Sequence, residues 1–306
     1  MKLSFEKFHK KDFDGALFVT DACVAELFGI CGDDVFLLPR GEEAKSFQNL
    51  ENLCKWYLQK NLERDGLVVA VGGGSVGDVA GLSASVYKRG VRLTMVPTTL
   101  LAMIDSGIGG KTAIDLCGVK NVVGSFVDCD TLIDLDFLAT LSKEQIADGM
   151  GEMYKYRLLD ANIDEICARG DLSEAVKACA EYKLGVVASD PFDRGARRKL
   201  NLGHTVAHAL ELRCRLSHGA AVARGLYFEA ALSQKLGYVS VEFVQKVQKQ
   251  LFPDGVDVAL CAQDVDAMAQ DKKNSQGKIS FVLPCENHSA TEVSLTKEQV
   301  AKVFDL

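Results

Sequence analysis

Three of the chain's five histidines, His204, His208 and His218, fall within the single stretch LNLGHTVAHALELRCRLSHGAAVA. The apolar period of this stretch is helical, so His204 and His208, four residues apart, share one face. His218 follows a short loop. Neutral imidazole is a common ligand for divalent zinc, and two histidines from one helix plus one from a neighbouring loop make most of a metal site. The same spacing fits three histidines that are simply hydrogen-bonded near a helix end. Thr205 also stands where a zinc protease carries the glutamate after its first histidine. Spacing alone leaves both readings open.

A second chemical signal lies upstream. Val68 to Asp78 reads as a buried strand running into a turn and then a helix, and Gly72, Gly74 and Gly77 satisfy G-x-G-x-x-G in that setting. Missing side chains let the backbone approach a pyrophosphate, and the helix start offers N–H groups and a positive dipole end. A tight turn kept only for packing uses the same glycines. The next strand departs from the common dinucleotide pattern: it ends Val96-Pro97-Thr98-Thr99, with two hydroxyls where an acid would hold the ribose. Gly41-Glu42-Glu43-Ala44-Lys45, after another strand, can supply polar contacts or be a solvated helix start.

The run Pro97 to Thr112 is dense in special residues. Gly109-Gly110-Lys111-Thr112 looks like the tail of a phosphate-binding P-loop, but Asp105 occupies the position of that loop's first glycine, which excludes it. A lysine after paired glycines can still reach a phosphate or carboxylate. The same holds for Lys120-Asn121 in its Gly-Val-Lys-Asn turn. Read without that context, each lysine is surface charge.

The elements that must carry these residues follow from periodicity. Strands are expected at Ala16 to Val19, Val35 to Leu38, Leu67 to Val71 and Arg92 to Val96. Between them helices are expected at Cys23 to Phe28, Ser46 to Gln59, and from the glycine turn to about Lys88. Past Ser142 the pattern is helical, near Glu144 to Leu158, Leu172 to Ser189, His204 to Leu212, Ala220 to Leu236 and Val241 to Leu251. A lone strand is expected at Ile279 to Leu283. This predicts an α/β domain over residues 1–142 and a mainly helical domain over residues 143–306, with the ligand cleft between them.

Composition narrows the function. The chain is 48% hydrophobic and 25% charged with net charge −7, which argues against nucleic acid and anionic membrane as partners. A small anionic substrate would need local Lys and Arg. No apolar run has transmembrane length, and the start MKLSFEKFHKKDFDG is too charged for a signal peptide. Ten cysteines without a Cys-x-x-Cys pair read as reduced thiols, and the expected location is cytoplasmic.

Taken together the segments resemble the 3-dehydroquinate synthases, within the sugar-phosphate cyclases. GGGSVGDVAG, RGVRLTMVPTTLLAMIDSGIGGKTAID, GVKNVVGSF, DGMGEMYKY, RRKLNLGHTVAHALE, SHGAAVARG and the DKK at Asp271 occur in family order and cover nearly the whole chain. PTTLL…DS..GGK and LN.GHT..HA are the most specific. The glycine turn is shared with iron-dependent alcohol dehydrogenases.

The resemblance implies a Rossmann-like NAD-binding domain followed by a mainly α-helical metal- and substrate-binding domain, in a homodimer. It implies an NAD- and zinc- or cobalt-dependent lyase. The implied substrate is 3-deoxy-D-arabino-heptulosonate 7-phosphate, converted to 3-dehydroquinate and phosphate. The implied steps are transient oxidation, phosphate elimination, re-reduction, ring opening and aldol closure.

Carried over by position, the metal ligands would be Glu152, His204 and His218. NAD would be held by Glu42, Lys45, Gly74, Ser75, Val76, Gly77, Asp78, Thr98, Thr99, Lys111, Lys120, Phe137, Leu138, Ala139 and Thr140, with Asp21 in a lesser role. Asp105, Lys111, Lys155, Asn201 and His208 would carry the catalysis. Asn121, Lys183, Arg197 and Lys272 or Lys273 would hold the substrate.

Several positions depart from the family. The chain begins late, without the family's first β-hairpin; Arg40 stands where Asp is usual, and Ala207 replaces a frequent Gly. Ala220 stands where an acid is usual, a change expected to loosen His218. Rival readings are another sugar-phosphate cyclase, which Asn201 and His208 argue against, and a metal-dependent polyol or glycerol-phosphate dehydrogenase, which would accumulate NADH. A non-catalytic NAD-binding protein is disfavoured by the full metal set.

Overall fold

The computed structural model describes residues 1–270 and 277–306. Contacts divide the chain into two compact units, Met1–Ile146 with Val176–Phe192, and Ala147–Ala175 with Asp193–Leu306. The expected cut at residue 142 differs from this grouping in two places: residues 143–146 group with the first unit, and so do residues 176–192, within which Lys183 is tied to Asp105 by an ion pair at 2.9 Å.

In chain order the first stretch contains β1 (Leu3–Phe5), β2 (Leu17–Asp21), α1 (Ala22–Phe28), β3 (Val35–Leu38), α2 (Phe47–Gln59), β4 (Leu67–Gly72) and α3 (Gly74–Val86). Next come β5 (Arg92–Pro97), β6 (Lys111–Leu116), β7 (Val119–Phe126) and β8 (Asp130–Ile133). Then follow α4 (Lys143–Leu159), α5 (Ala161–Arg169), α6 (Leu172–Ser189), α7 (His204–Cys214), α8 (His218–Lys235), α9 (Val241–Leu251) and α10 (Ala262–Ala269). The chain closes with β9 (Ile279–Cys285), β10 (Ser289–Leu295) and α11 (Lys297–Phe304).

Six strands of the first unit form a parallel sheet in the order β1-β8-β5-β4-β2-β3. The run LVVAVG of β4 is almost wholly buried, as a central parallel strand covered on both faces requires. The chain passes from β2 to β3 on one side, then returns past β2 to β4. Winding therefore reverses beside β2, and an open α/β sheet takes its ligand at the carboxyl ends of the strands flanking such a point. The glycine turn leaves β4 at that end. Local signals set the flanking helices: Asp21 caps α1 through Cys23 and Val24 N–H, and Ser46 caps α2 through Asn49 N–H. Val19, Leu53, Tyr57, Val68, Val79 and Leu82 lie in the core beneath.

In the second unit, Val206, Leu210, Leu232, Phe281, Leu283 and Val300 share one core. The strand expected to stand alone is paired: β9 runs antiparallel to β10 with Phe281 opposite Val293. The β6–β7 hairpin, which sequence periodicity did not reveal, runs antiparallel from Lys111 opposite Phe126. Among the described residues, no helix is long and apolar enough to cross a membrane.

Candidate active site

The second unit brings Glu152, His204 and His218 together, with one donor atom from each lying within 4.8 Å of the others. Each comes from a different helix. Glu152 sits in α4 and is fully buried, His204 is the first residue of α7, and His218 opens α8 rather than lying in a loop. Bare backbone lets α4 and α8 meet: a Cβ on Gly151 would fall 2.1 Å from the Gly219 carbonyl oxygen, and one on Gly219 would fall 1.7 Å from that of Asp148. His204 Nε2 is 3.6 Å from Glu152 Oε1, while its Nδ1 is 3.1 Å from the Leu202 carbonyl oxygen, so Nε2 is the nitrogen that faces the carboxylate. His208 packs its ring edge-on against His204 with centroids 5.8 Å apart and is outside the donor set.

These residues fit a divalent ion. Glu152 Oε2 is buried with no hydrogen-bond partner, a costly state for a carboxylate oxygen that a cation beside two imidazoles would relieve. Two nitrogens and one oxygen also leave coordination positions open, as a catalytic ion needs. Lys155, one turn along α4 and fully buried, is ion-paired to Glu152 Oε1. Ala220 offers no carboxylate, but Glu211 Oε1 lies 3.5 Å from His218 Nδ1 and Asp148 accepts from Gly219 N–H at 2.7 Å.

The first unit holds the glycine turn. Helix α3 opens at Gly74 with no side-chain cap and no acid in its first turn. A Cβ on Gly74 would stand 2.9 Å from Ser106 Oγ, a buried hydroxyl without a hydrogen-bond partner. An uncapped helix start, a bare glycine and an orphaned hydroxyl fit a pyrophosphate. Ser106 had no role in the sequence reading. It is delivered by a π-helical turn, Ala102–Ser106, in which Gly107 N–H donates to the Ala102 carbonyl. Val76 is buried and faces Gly72, while Thr98 N–H donates to the Gly72 carbonyl beside it. Thr99 Oγ1 accepts from Ala102 N–H at 3.2 Å, and Ser75 and Gly77 lie in the first turn of α3.

Beside the turn is a charged cluster. Lys45 pairs with Asp78 at 2.8 Å and Glu42 at 3.7 Å, donates to Asn121 Oδ1, and Lys120 approaches Glu42 at 3.9 Å. Asn121, read from sequence as a substrate contact, is therefore placed on the same lysine as the residues read as cofactor contacts. Burial drives the Asp78 carboxyl upward and Lys45 opposes it, leaving it at about 6. Burial is the largest single influence on Lys45 and lowers it, but the charge and hydrogen bond of Asp78 with the charges of Glu42 and Asp115 together outweigh burial, and its ammonium is held above the ordinary lysine value. The Asp21 carboxylate is occupied in capping α1.

The remaining residues fall as follows. The Phe137 ring is buried against Phe28 with centroids 4.4 Å apart, so it packs the protein, whereas Ala139 and Thr140 of the same turn, Leu135–Thr140, are exposed and Leu138 is half-buried. Asp105 is engaged by Lys183. Lys111 is exposed at the start of β6. Arg197, buried, and Asn201 lie on the short helical turn Ala196–Asn201 that leads into His204. Lys272 and Lys273 lie outside the described residues.

The family model for the 3-dehydroquinate synthase N-terminal part matches residues 35–148 and that for the C-terminal part matches residues 149–274. The 3-dehydroquinate synthase of Alkaliphilus metalliredigens is 36% identical over 96% of this chain and 90% of its own length. Among solved structures, 2-epi-5-epi-valiolone synthase of Streptomyces hygroscopicus, determined with NAD+ and Zn2+ bound, superposes with a TM-score of 0.79 at 25% identity over 94% of this chain and 89% of that one. A 2-deoxy-scyllo-inosose synthase complexed with carbaglucose-6-phosphate, NAD+ and Co2+ shares the fold, with a TM-score of 0.82 at 24% identity over 99% and 95%. With both family models matched in sequence and a relative this similar over almost its whole length, the chain belongs to the 3-dehydroquinate synthase family.

Proposed function

We propose that the protein is a 3-dehydroquinate synthase, converting 3-deoxy-D-arabino-heptulosonate 7-phosphate to 3-dehydroquinate and phosphate with NAD and a divalent zinc or cobalt ion. The observation that carries this reading is the buried Glu152, with its orphaned carboxylate oxygen, gathered with the part-buried His204 and His218 in a chain of this family. When bound, NAD supplies a reversible hydride acceptor and the metal ion a Lewis acid for the substrate hydroxyl.

The chain's own residues do the rest. The N–H groups at Gly74 to Gly77 and the Ser106 hydroxyl bind the pyrophosphate. Glu42, Asp78, Thr98 and Thr99 accept from or donate to the cofactor's hydroxyls, and Lys45 holds Asp78 in place. Lys155 Nζ keeps positive charge beside the reacting oxygen. Arg197, Lys111 and Lys183 bind the substrate's phosphate and carboxylate, Arg197 through its planar fork, and Asp105 orients Lys183. Lys272 belongs to this group from the sequence alone. His208 gives or takes a proton at a ring nitrogen, and Asn201 orients the sugar hydroxyls. The proton lost at the carbon next to the new ketone passes to the substrate's own phosphate oxygen as phosphate leaves. We infer a cytoplasmic homodimer.

The test is phosphate release from the heptulosonate phosphate with catalytic NAD+ and Zn2+ or Co2+. Release that stops on chelation, without net NADH, is expected. Chelator-insensitive release, or none from metal-replete protein, overturns the reading; stoichiometric NADH would favour a polyol dehydrogenase instead.

A further inference from the structure

Helix α7 opens on His204, yet nothing on its own first turn caps it. The residue before His204 is Gly203, at φ 85°, with no side chain to accept from the free N–H groups. A capping side chain has no room there: a Cβ on Gly203 would sit 2.9 Å from Leu226, and one on Gly225 would sit 1.9 Å from the Gly203 carbonyl oxygen. The entry to α7 and the middle of α8 thus touch through backbone.

The missing cap comes from across this contact. Glu229 of α8 is fully buried, and its carboxylate accepts from Gly203 N–H at 2.6 Å, Thr205 N–H at 3.2 Å and Val206 N–H at 3.4 Å. A buried carboxylate held by several backbone donors at the positive end of a helix is strongly bound and directional. Asp148 does the equivalent for α8: it accepts from Gly219 N–H, the residue after His218, and lies four residues before Glu152 on α4. The start of α8 is thus held from α4, and the start of α7 from α8.

We propose that Glu229 is a positioning residue of the metal centre, fixing the first turn of α7 so that His204 Nε2 meets Glu152 and His218. This rests on reading those three residues as a metal site. Because the Gly203, Thr205 and Val206 N–H groups on either side of His204 are fixed by one buried carboxylate, a shift of this turn leaves buried donors unpaired, and the ring is delivered already aimed.

Cobalt binding tests this directly. Apo-protein is titrated with Co2+, following its visible d–d absorption, in wild type, Glu229→Gln and Val300→Ala; the last opens a cavity on α11 in the core shared with Val206 but removes none of the hydrogen bonds at this turn. In Glu229→Gln the amide NH2 must face one of the three N–H donors, so the turn shifts. Its Co2+ dissociation constant is expected to weaken by about 10- to 100-fold with an altered d–d band, while NAD+ affinity stays within about twofold. Val300→Ala is expected to lower Tm but keep the wild-type Co2+ constant and spectrum. If Glu229→Gln does not fold, Glu229→Asp, which keeps the charge and shortens the reach, is expected to weaken Co2+ binding in the same direction. Unchanged Co2+ binding and spectrum in the Glu229 variants, or equal weakening in Val300→Ala, overturns the proposal alone. Absence of Co2+ binding in wild type overturns the metal reading and this proposal with it.

Discussion

Burial and a single cation pull Asp78 in opposite directions: burial raises its carboxyl, Lys45 lowers it, and the net is a rise from 3.8 to about 6. The folded protein therefore holds this proton to higher pH than the unfolded chain does. For stability the sign is that Asp78 favours folding more as pH falls from about 6 towards 3.8. For cofactor binding the sign is opposite, because protonation removes an acceptor and neutralises the partner of Lys45. NAD+ is expected to bind about tenfold more weakly at pH 5 than at pH 7 through this one group, and Asp78→Asn should flatten that dependence. Calorimetric titration across pH checks it; a wild-type profile no steeper than that of Asp78→Asn counts against the assignment. At this scale the metal ligands were only half legible. Spacing puts His204 and His208 on one face, but which ring meets Glu152 depends on where α4 and α8 cross, and no local pattern encodes that crossing. Ser106 was silent because a serine declares itself only once its hydroxyl is seen buried and unpaired beside Gly74.

Among the elements, the contact of α4 with the start of α8 carries most of the geometry. Gly219→Ala places a methyl group 1.7 Å from a backbone oxygen of α4, so one helix must move and Glu152 must part from His218. Overpacking of this kind costs about 1–3 kcal/mol, and Co2+ affinity is expected to fall by more than Tm alone would suggest. Gly185→Ala on α6 is the contrasting case: its Cβ meets nothing within 4 Å, and helix propensity predicts a gain of up to about 1 kcal/mol with metal affinity intact. Thermal unfolding with parallel Co2+ titration separates the two; equal behaviour would show that the helix contact does not set the site. Most helices and the central strands were readable because their signals are local. Val35–Leu38, Leu172–Ser189 and Val241–Leu251 match the expected bounds. The β6–β7 hairpin was hidden because Lys120 and Asn121 break its apolar alternation and much of β7 is exposed. Strand β1 has only three residues, too few for a period.

For the whole molecule, the residues read as binding NAD and those read as binding metal fall in different compact units, apart from helix α6, whose first residues group with the second unit and the rest with the first. Net charge of −7 offers a doubly anionic substrate no general attraction, so its binding must come from the few placed cations, while the residues proposed to hold NAD and those proposed to hold the metal each lie within one unit. The two binding equilibria should then be nearly independent in the absence of substrate. Chelated protein is expected to bind NAD+ within about threefold of the metal-replete constant, since a coupling that small is under 1 kcal/mol. NAD+ at a hundredfold over its dissociation constant should add about 2.7 kcal/mol of stability with or without the ion. Catalysis should show no such independence, because phosphate release needs hydride acceptor and Lewis acid on one substrate molecule. Calorimetry of NAD+ binding before and after chelation, beside a phosphate-release assay on the same samples, distinguishes the cases. Loss of NAD+ affinity with the metal would place the cofactor's contacts within reach of the ion and overturn the division of labour between the units. Retained affinity with abolished turnover is the outcome this arrangement requires.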